Sequence, residues 1–317
     1  MLKKVHSDSG LVTVGHVNAT KAVAKYIYHL RSITIIRQII PLMIASQLHR
    51  GAQLALMEGG KYFEEKVKIL QAEIDSRFTT LLLLNKELST PLQEQQIKLL
   101  LQEWDTLQDW NGGPVLENFN LHSHFIEQLM RLIWSVSEKS NYFLVKLSRD
   151  TKSNSHKNHN SNDSISASAD DGLLSKFVLQ EIPELIELLA RIRGLATHSS
   201  VIKQCDAEHK TWLEFLLKQL KQKNEKFRVL IRSLQIYALR DLPALIDIEI
   251  QDVGIVQLIQ FVENNILRDS DIEVNGHNVF MLTTNIINSY NKVVKQGIDF
   301  IQNKINQQLD SSHPYVS

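Results

Sequence analysis

The chain has 317 residues, 35 basic against 35 acidic side chains and zero formal net charge. That balance excludes the broad basic footprint of a nucleic-acid binder, and the length fits two domains of roughly 150 residues. Only 12 glycines and 6 prolines are present, so turns are few and elements long, which favours an all-α chain over a many-stranded sheet.

Residues 1–20 read as a polar, disordered tail. Met1-Leu2-Lys3-Lys4 carries charge, but His6-Ser7-Asp8-Ser9-Gly10 stands where the apolar part of a secretory signal belongs. The most apolar stretch, Ile33 to Ser46, is split by Arg37 and is too short to span a bilayer. Ile36, Ile40, Met43 and Gln47 open one face of a long first helix, and Gly59-Gly60 ends it. A second helix carries Phe63, Val67, Leu70, Ile74, Phe78 and Leu81 at three- and four-residue spacing. Thr90-Pro91 reads as an N-cap with proline in the first turn of a third helix, which Gly112-Gly113-Pro114 closes. A fourth spans about Asn118 to Leu147, with Leu129, Ile133 and Val136 inward. Four stripes with short connections predict a four-helix bundle over residues 21–149.

Residues 150–171, with Lys152-Ser153-Asn154-Ser155-His156-Lys157-Asn158-His159 at their heart, offer almost nothing apolar to bury and read as a flexible linker. A metal site at His156 and His159 is not expected, because neither has rigid support or other ligand types nearby. A second four-helix bundle is predicted over 172–309, ahead of a short tail at 310–317. Its helices run from Gly172 to about Ser199 (Pro183 early), Asp206 to about Leu239, Gly254 to Leu267 and Asn278 to about Gln307. Two local matches in the same order indicate a duplicated unit. Arg50-Gly51-Ala52 pairs with Arg193-Gly194-Leu195, and Asn120-Leu121-His122-Ser123-His124-Phe125 pairs with Asn275-Gly276-His277-Asn278-Val279-Phe280.

Signs of catalysis are few. The chain has no phosphate-binding glycine loop, no HExxH and no CxxC pair, so no enzyme activity, metal or cofactor is expected. The single Cys205 cannot form an internal disulfide, which fits a reducing, cytoplasmic setting. Cys205 with His209 reads as a solvated helix start beside Glu208 and Lys210, with nothing to orient the imidazole. His122 and His124 lie two apart, on different helix faces, and are not expected to share a metal.

The arginines are more informative. Arg50 shares a helix face with Met43, Ser46, Gln53 and Leu54, and Arg193 shares one with Ile186, Leu189, Ala190, Ala196 and Thr197. Neither has an acid at helical spacing, yet both continue inward-looking faces. A buried, unpaired guanidinium costs roughly several kcal/mol, so each needs an acid from another helix, a route to water, or an anion from outside. The glycine after each arginine lowers helix propensity by roughly 1 kcal/mol relative to alanine and lets a neighbouring helix come close. Arg191 differs, since Glu187 four residues earlier gives it a surface partner.

Several of these segments resemble the NIT family, the nitrate- and nitrite-sensing domain of bacterial signalling proteins. The resemblance lies in Leu48-His49-Arg50-Gly51 with Gly59-Gly60, Phe63, Gln71 and Asp75; in Trp104, Trp110, Asn118-Phe119 and His122; and in Pro183-Glu184-Leu185 leading into Arg191-Ile192-Arg193-Gly194. It covers about residues 30–305. It implies two tandem four-helix bundles that hold nitrate or nitrite between them through arginines from both. Arg50 and Arg193 occupy the matching positions, with Arg191 and Arg232 as further candidates. Family members carry an attached output module, such as an RNA-binding antiterminator, a kinase, a cyclase or a chemoreceptor region. Only Asp310 to Ser317 follow the last helix here, so the expected output is a separate signalling protein. No direct nucleic-acid or membrane contact is expected, and a homodimer is left open. The alternatives are the same fold sensing another small anion or metabolite, and a helical scaffold that senses nothing.

Overall fold

The computed structural model describes residues 9–88, 92–110, 112–153, 172–238, 242–268 and 271–312. Among these residues there are helices and no strands. The long helices are α1 (Ser9–Met57), α2 (Glu64–Leu88), α3 (Glu94–Gln108), α4 (Val115–Ser153), α5 (Ile182–Ile202), α6 (Ala207–Ala238), α7 (Ala244–Asn265) and α8 (Gly276–Ser312). In the first group, α1 packs on α2 and α4, and α3 closes against both. In the second, α5 packs on α6 and α8, and α7 closes against both. The groups meet because α1 also lies against α5 and α8, and one apolar core runs through all eight helices.

This arrangement explains the apolar run from Ile33 to Ser46. Six of the eight helices bury one face, and α7 leaves Ile246, Ile250 and Val253 exposed on the other. Helix α1 is covered by both groups, so Ile33, Ile36, Ile39, Ile40, Leu42 and Met43 are buried over a broad face, while Thr34, Arg37, Pro41 and Ile44 on the other side are only partly buried. Helix α5 is the matching inner helix of the second group. Every residue from Leu185 to Ser200 on it is buried apart from Arg191. A fully buried Leu or Ile contributes roughly 1.5–3 kcal/mol, so these two inner helices carry much of the apolar stabilisation.

Several boundaries differ from the sequence reading. Residues 9–20 are helical and continuous with α1, while 1–8 lie outside the described residues. Helix α3 opens at Glu94, where Gln96 Oε1 accepts the Gln93 backbone N–H at 3.2 Å. The expected cap at Thr90 lies outside the described residues. Helix α4 continues to Ser153, into the expected linker; the remainder, with His156 and His159, lies outside the described residues, as do 313–317 beyond α8. Helix α7 begins at Ala244, directly after Pro243 and ten residues ahead of the expected Gly254. Proline lacks the N–H that a first turn leaves unused, and Gly254 sits inside the helix against Ile286.

Ahead of α5 the chain is helical from Gly172 but widens into a π segment, Phe177–Glu181. Pro183 supplies a reason. Its ring would meet the carbonyl four residues back in a regular α-helix, and a π turn relieves that contact.

Candidate functional site

The two inner helices carry polar residues at their most enclosed stretch: Gln47, His49 and Arg50 on α1, and Glu187 and Arg193 on α5. They cross where Gly51 faces Gly194; a Cβ built on either glycine stands 3.9 Å from the other's Cα. The missing side chains allow this close approach and bring the two arginines to one place. Arg50 is 0% exposed and Arg193 1%.

Arg50 is paired with an acid from the other half of the chain. Its Nη1 donates to Glu187 Oε1 at 2.6 Å and to Ser123 Oγ at 2.9 Å, and its Nη2 donates to Glu187 Oε2 at 3.2 Å. Glu187 also accepts from Gln47 Nε2 at 3.0 Å and Arg191 Nε at 2.7 Å. The expectation that Arg191 and Glu187 form an isolated surface pair is therefore corrected. Glu187 is buried and spans both arginines, and Arg191 continues to Glu127 on α4 at 2.6 Å. Burial pushes the Glu187 carboxyl up, but the charges of Arg50 and Arg191 outweigh it and hold the group below the usual range.

Arg193 has no such partner. Its Nη1 donates to Thr284 Oγ1 at 3.0 Å and its Nη2 to the Gln47 carbonyl at 3.1 Å, and the guanidinium carbon lies 4.7 Å from the Phe280 ring centre. Among the described residues no carboxylate forms an ion pair with it. Burial, with the charge of Arg50 adding to it, pushes its pKa down to about 9, so it stays charged at neutral pH. Lys66 lies 4.1 Å from the centre of the same Phe280 ring, and burial and the charge of Arg193 lower its pKa as well.

The surroundings of the two arginines match. Arg50 lies 5.0 Å from the Phe119 ring centre and donates to Ser123, and Arg193 is placed the same way on Phe280 and Thr284. Each hydroxyl also donates to the carbonyl four residues back, of Phe119 and Phe280 respectively. These contacts set Phe119 opposite Phe280. The sequence pairing of Phe125 with Phe280 was therefore six residues out of register, because it matched similar letters rather than the side chains that face an arginine. In the corrected register Glu187, six before Arg193, falls opposite Ile44, six before Arg50. One half supplies a carboxylate where the other has a hydrocarbon.

Several buried polar atoms at the crossing have no partner among the described residues: Arg50 Nε, Arg193 Nε, the Asn118 amide and His49 Nε2. A buried donor or acceptor left unmatched costs about 1–3 kcal/mol. His49 Nδ1 lies 3.0 Å from His122 Nε2, and His122 Nδ1 lies 3.0 Å from the Asn118 carbonyl. That carbonyl can only accept, so His122 donates from Nδ1 and accepts from His49. Burial lowers both imidazole pKa values, that of His122 to about 4, so both are neutral at pH 7. Spacing within α4 gave no sign of this pair, since its other member is on α1.

The remaining sequence candidates lie elsewhere. Arg232 is exposed on α6 and lines a depression with Arg228, Asp252 and Tyr290, apart from Arg50 and Arg193. His209 is buried, and Asp206 orients it at 2.8 Å, which corrects the reading of an unoriented imidazole on a solvated face. Cys205 is half-buried, and burial pushes its thiol up, away from reactive thiolate character. Among the described residues no group of three His, Cys, Asp or Glu is placed to hold a metal, and no helix is long and apolar enough to cross a membrane.

The fold has a counterpart among solved structures, in a transcription antiterminator. That structure, of NasR, matches 94% of this chain and 75% of its own with a TM-score of 0.61 at 16% sequence identity. The likeness is one of fold. No family profile matches the chain, and no curated protein sequence does.

Proposed function

We propose that this chain is a sensor module that binds a small inorganic monoanion, nitrate or nitrite, where α1 crosses α5, and reports it through a separate signalling protein. The observation that carries the reading is Arg193, a charged guanidinium 1% exposed with neutral acceptors and, among the described residues, no carboxylate paired with it. The Arg50, Arg191 and Arg193 cluster holds three guanidiniums against the carboxylates of Glu187 and Glu127. With Lys66 beside Arg193 the positive excess is larger still, and a bound anion would reduce it. Nitrate and nitrite present oxygens that the planar N–H pairs of a guanidinium can grip two at a time. The resemblance to the NIT family and the fold shared with an antiterminator support the same reading.

The Arg50–Glu187 pair favours a second reading, in which the cluster only pins the halves together. Calorimetric titration of the whole chain with nitrate, nitrite, chloride and sulfate separates the two. Nitrate or nitrite should bind. Losing a charge-assisted hydrogen bond costs about 1.5–3 kcal/mol, roughly ten- to a hundredfold in affinity, so Arg193→Ala and Arg50→Ala should each weaken binding by that much. Arg232→Ala should bind like the wild type. No heat with any anion, or binding that survives Arg193→Ala, would leave the pinning role.

A further inference from the structure

Resting on that anion reading, we infer that Glu187 is an internal competitor: its carboxylate holds the ligand's place on Arg50, and the anion must displace it. A carboxylate is a planar oxyanion, and Glu187 meets Arg50 through both oxygens, at 2.6 and 3.2 Å, as a bound oxyanion would.

The near-duplication of the site makes this contact an asymmetry between the two halves. Both arginines have the same phenylalanine and hydroxyl, but only Arg50 has an acid, because position 44 is isoleucine where position 187 is glutamate. A duplicated site that needed its arginine charges neutralised for packing alone would have use for an acid at both positions. Here one guanidinium is occupied and the other is left with neutral acceptors.

Glu187 also has somewhere to go. It lines a groove of about 570 Å³ beside Glu184, Arg191, Lys223 and Phe227. Arg191 already holds one of its oxygens, and Lys223 Nζ lies 2.7 Å from neighbouring Glu184. A side-chain rotation toward the groove keeps the Arg191 contact, gains water and leaves Arg50 free.

Displacement also carries a message. Glu187 ties α5 to α1 through both Arg50 and Gln47. An anion that takes Arg50 breaks both of these links at once and leaves the inner helices joined by the Gly51–Gly194 approach and the Arg193 bond to the Gln47 carbonyl. The affinity seen in solution is then the intrinsic affinity reduced by the fraction of molecules in which Glu187 has moved away.

The test is nitrate calorimetry on the whole chain, with melting curves to confirm folding. Glu187→Gln keeps a hydrogen-bonding group without the charge and should bind nitrate more tightly, by roughly tenfold or more. Ile44→Glu puts a carboxylate at the first-half position that matches Glu187, to serve Arg193 as Glu187 serves Arg50, and should weaken binding by a similar factor. Should Glu187→Gln not fold, Glu187→Asp decides, since it keeps the charge but shortens the reach to Arg50 and should also bind more tightly than the wild type. Binding by the wild type with equal or weaker binding by the Glu187 variants overturns the competitor role alone. No binding by the wild type or any variant overturns the anion reading and the competitor with it.

Discussion

His198 on α5 is 2% exposed, and its ring stacks 4.7 Å from that of His209. Burial, then the nearby His209, lowers its pKa to about 4. Glu58 Oε1 is 3.9 Å from His198 Nε2, but at neutral pH the imidazole is uncharged and the contact is no ion pair. In the unfolded chain His198 takes up its proton near 6.5, and in the folded protein not until about 4. The unfolded state therefore binds more protons across that window, and the stability present above pH 6.5 is lost as pH falls toward 4. His49 and His122 act with the same sign. Replacing His198 with Phe keeps a ring on His209 and removes one of the three. Thermal melts should show a shallower fall in Tm between pH 6.5 and 5 for His198→Phe than for the wild type, and parallel slopes would contradict this. The residue scale also marks where sequence reasoning runs out. The face shared by Arg50, Met43 and Leu54 is inward, and spacing alone shows it. The acid that meets Arg50 is 137 residues away. Helical spacing relates residues within one helix, so it could give Glu187 to Arg191 but not to Arg50.

At the scale of elements, helix number and type were legible because most helices carry one apolar stripe and few breakers. The two inner helices were legible as helices but not as inner ones. The apolar run on α1, too short and interrupted to span a bilayer, has its reason in the helices of both groups that pack on it. The π segment left no trace in the sequence beyond Pro183, since one extra residue in a turn barely disturbs a 3.6-residue pattern. It places Val178 against Gly297 on α8, where a built Cβ would stand 2.3 Å from Val178 Cγ2 and 2.8 Å from Cγ1. Both atoms belong to a β-branched side chain that cannot swing away. Overpacking of this kind costs about 1–3 kcal/mol, against a gain of roughly 1 kcal/mol from replacing a helical glycine. Gly297→Ala should lower Tm by a few degrees, and Val178→Ala, which removes the obstructing methyls at the cost of a small cavity, should cost less in the Gly297→Ala background than in the wild type. A double mutant no more stable than the sum of its parts would show that the contact is not the cause.

For the whole molecule, α1 is the decisive element. It belongs by sequence to the first four helices, yet it lies against α5 and α8, and Arg37 reaches Asp299 and Gln302 on α8. Periodicity shows that a face is buried but not which helix covers it, so the contact of α1 with α5 and α8 could not be read from the sequence. A protease site placed between Ser153 and Gly172 would separate α1–α4 from α5–α8 in covalent terms only. The first piece, alone, would uncover the Ile-rich side of α1, and the second would uncover most of α5. Cut protein should therefore elute from a sizing column as one species, and the two pieces made separately should restore the native form on mixing. Independent elution would mean that the covalent join holds them together. Fragment complementation follows from the shared helix: the chain is built as a heterodimer that happens to be encoded as one polypeptide.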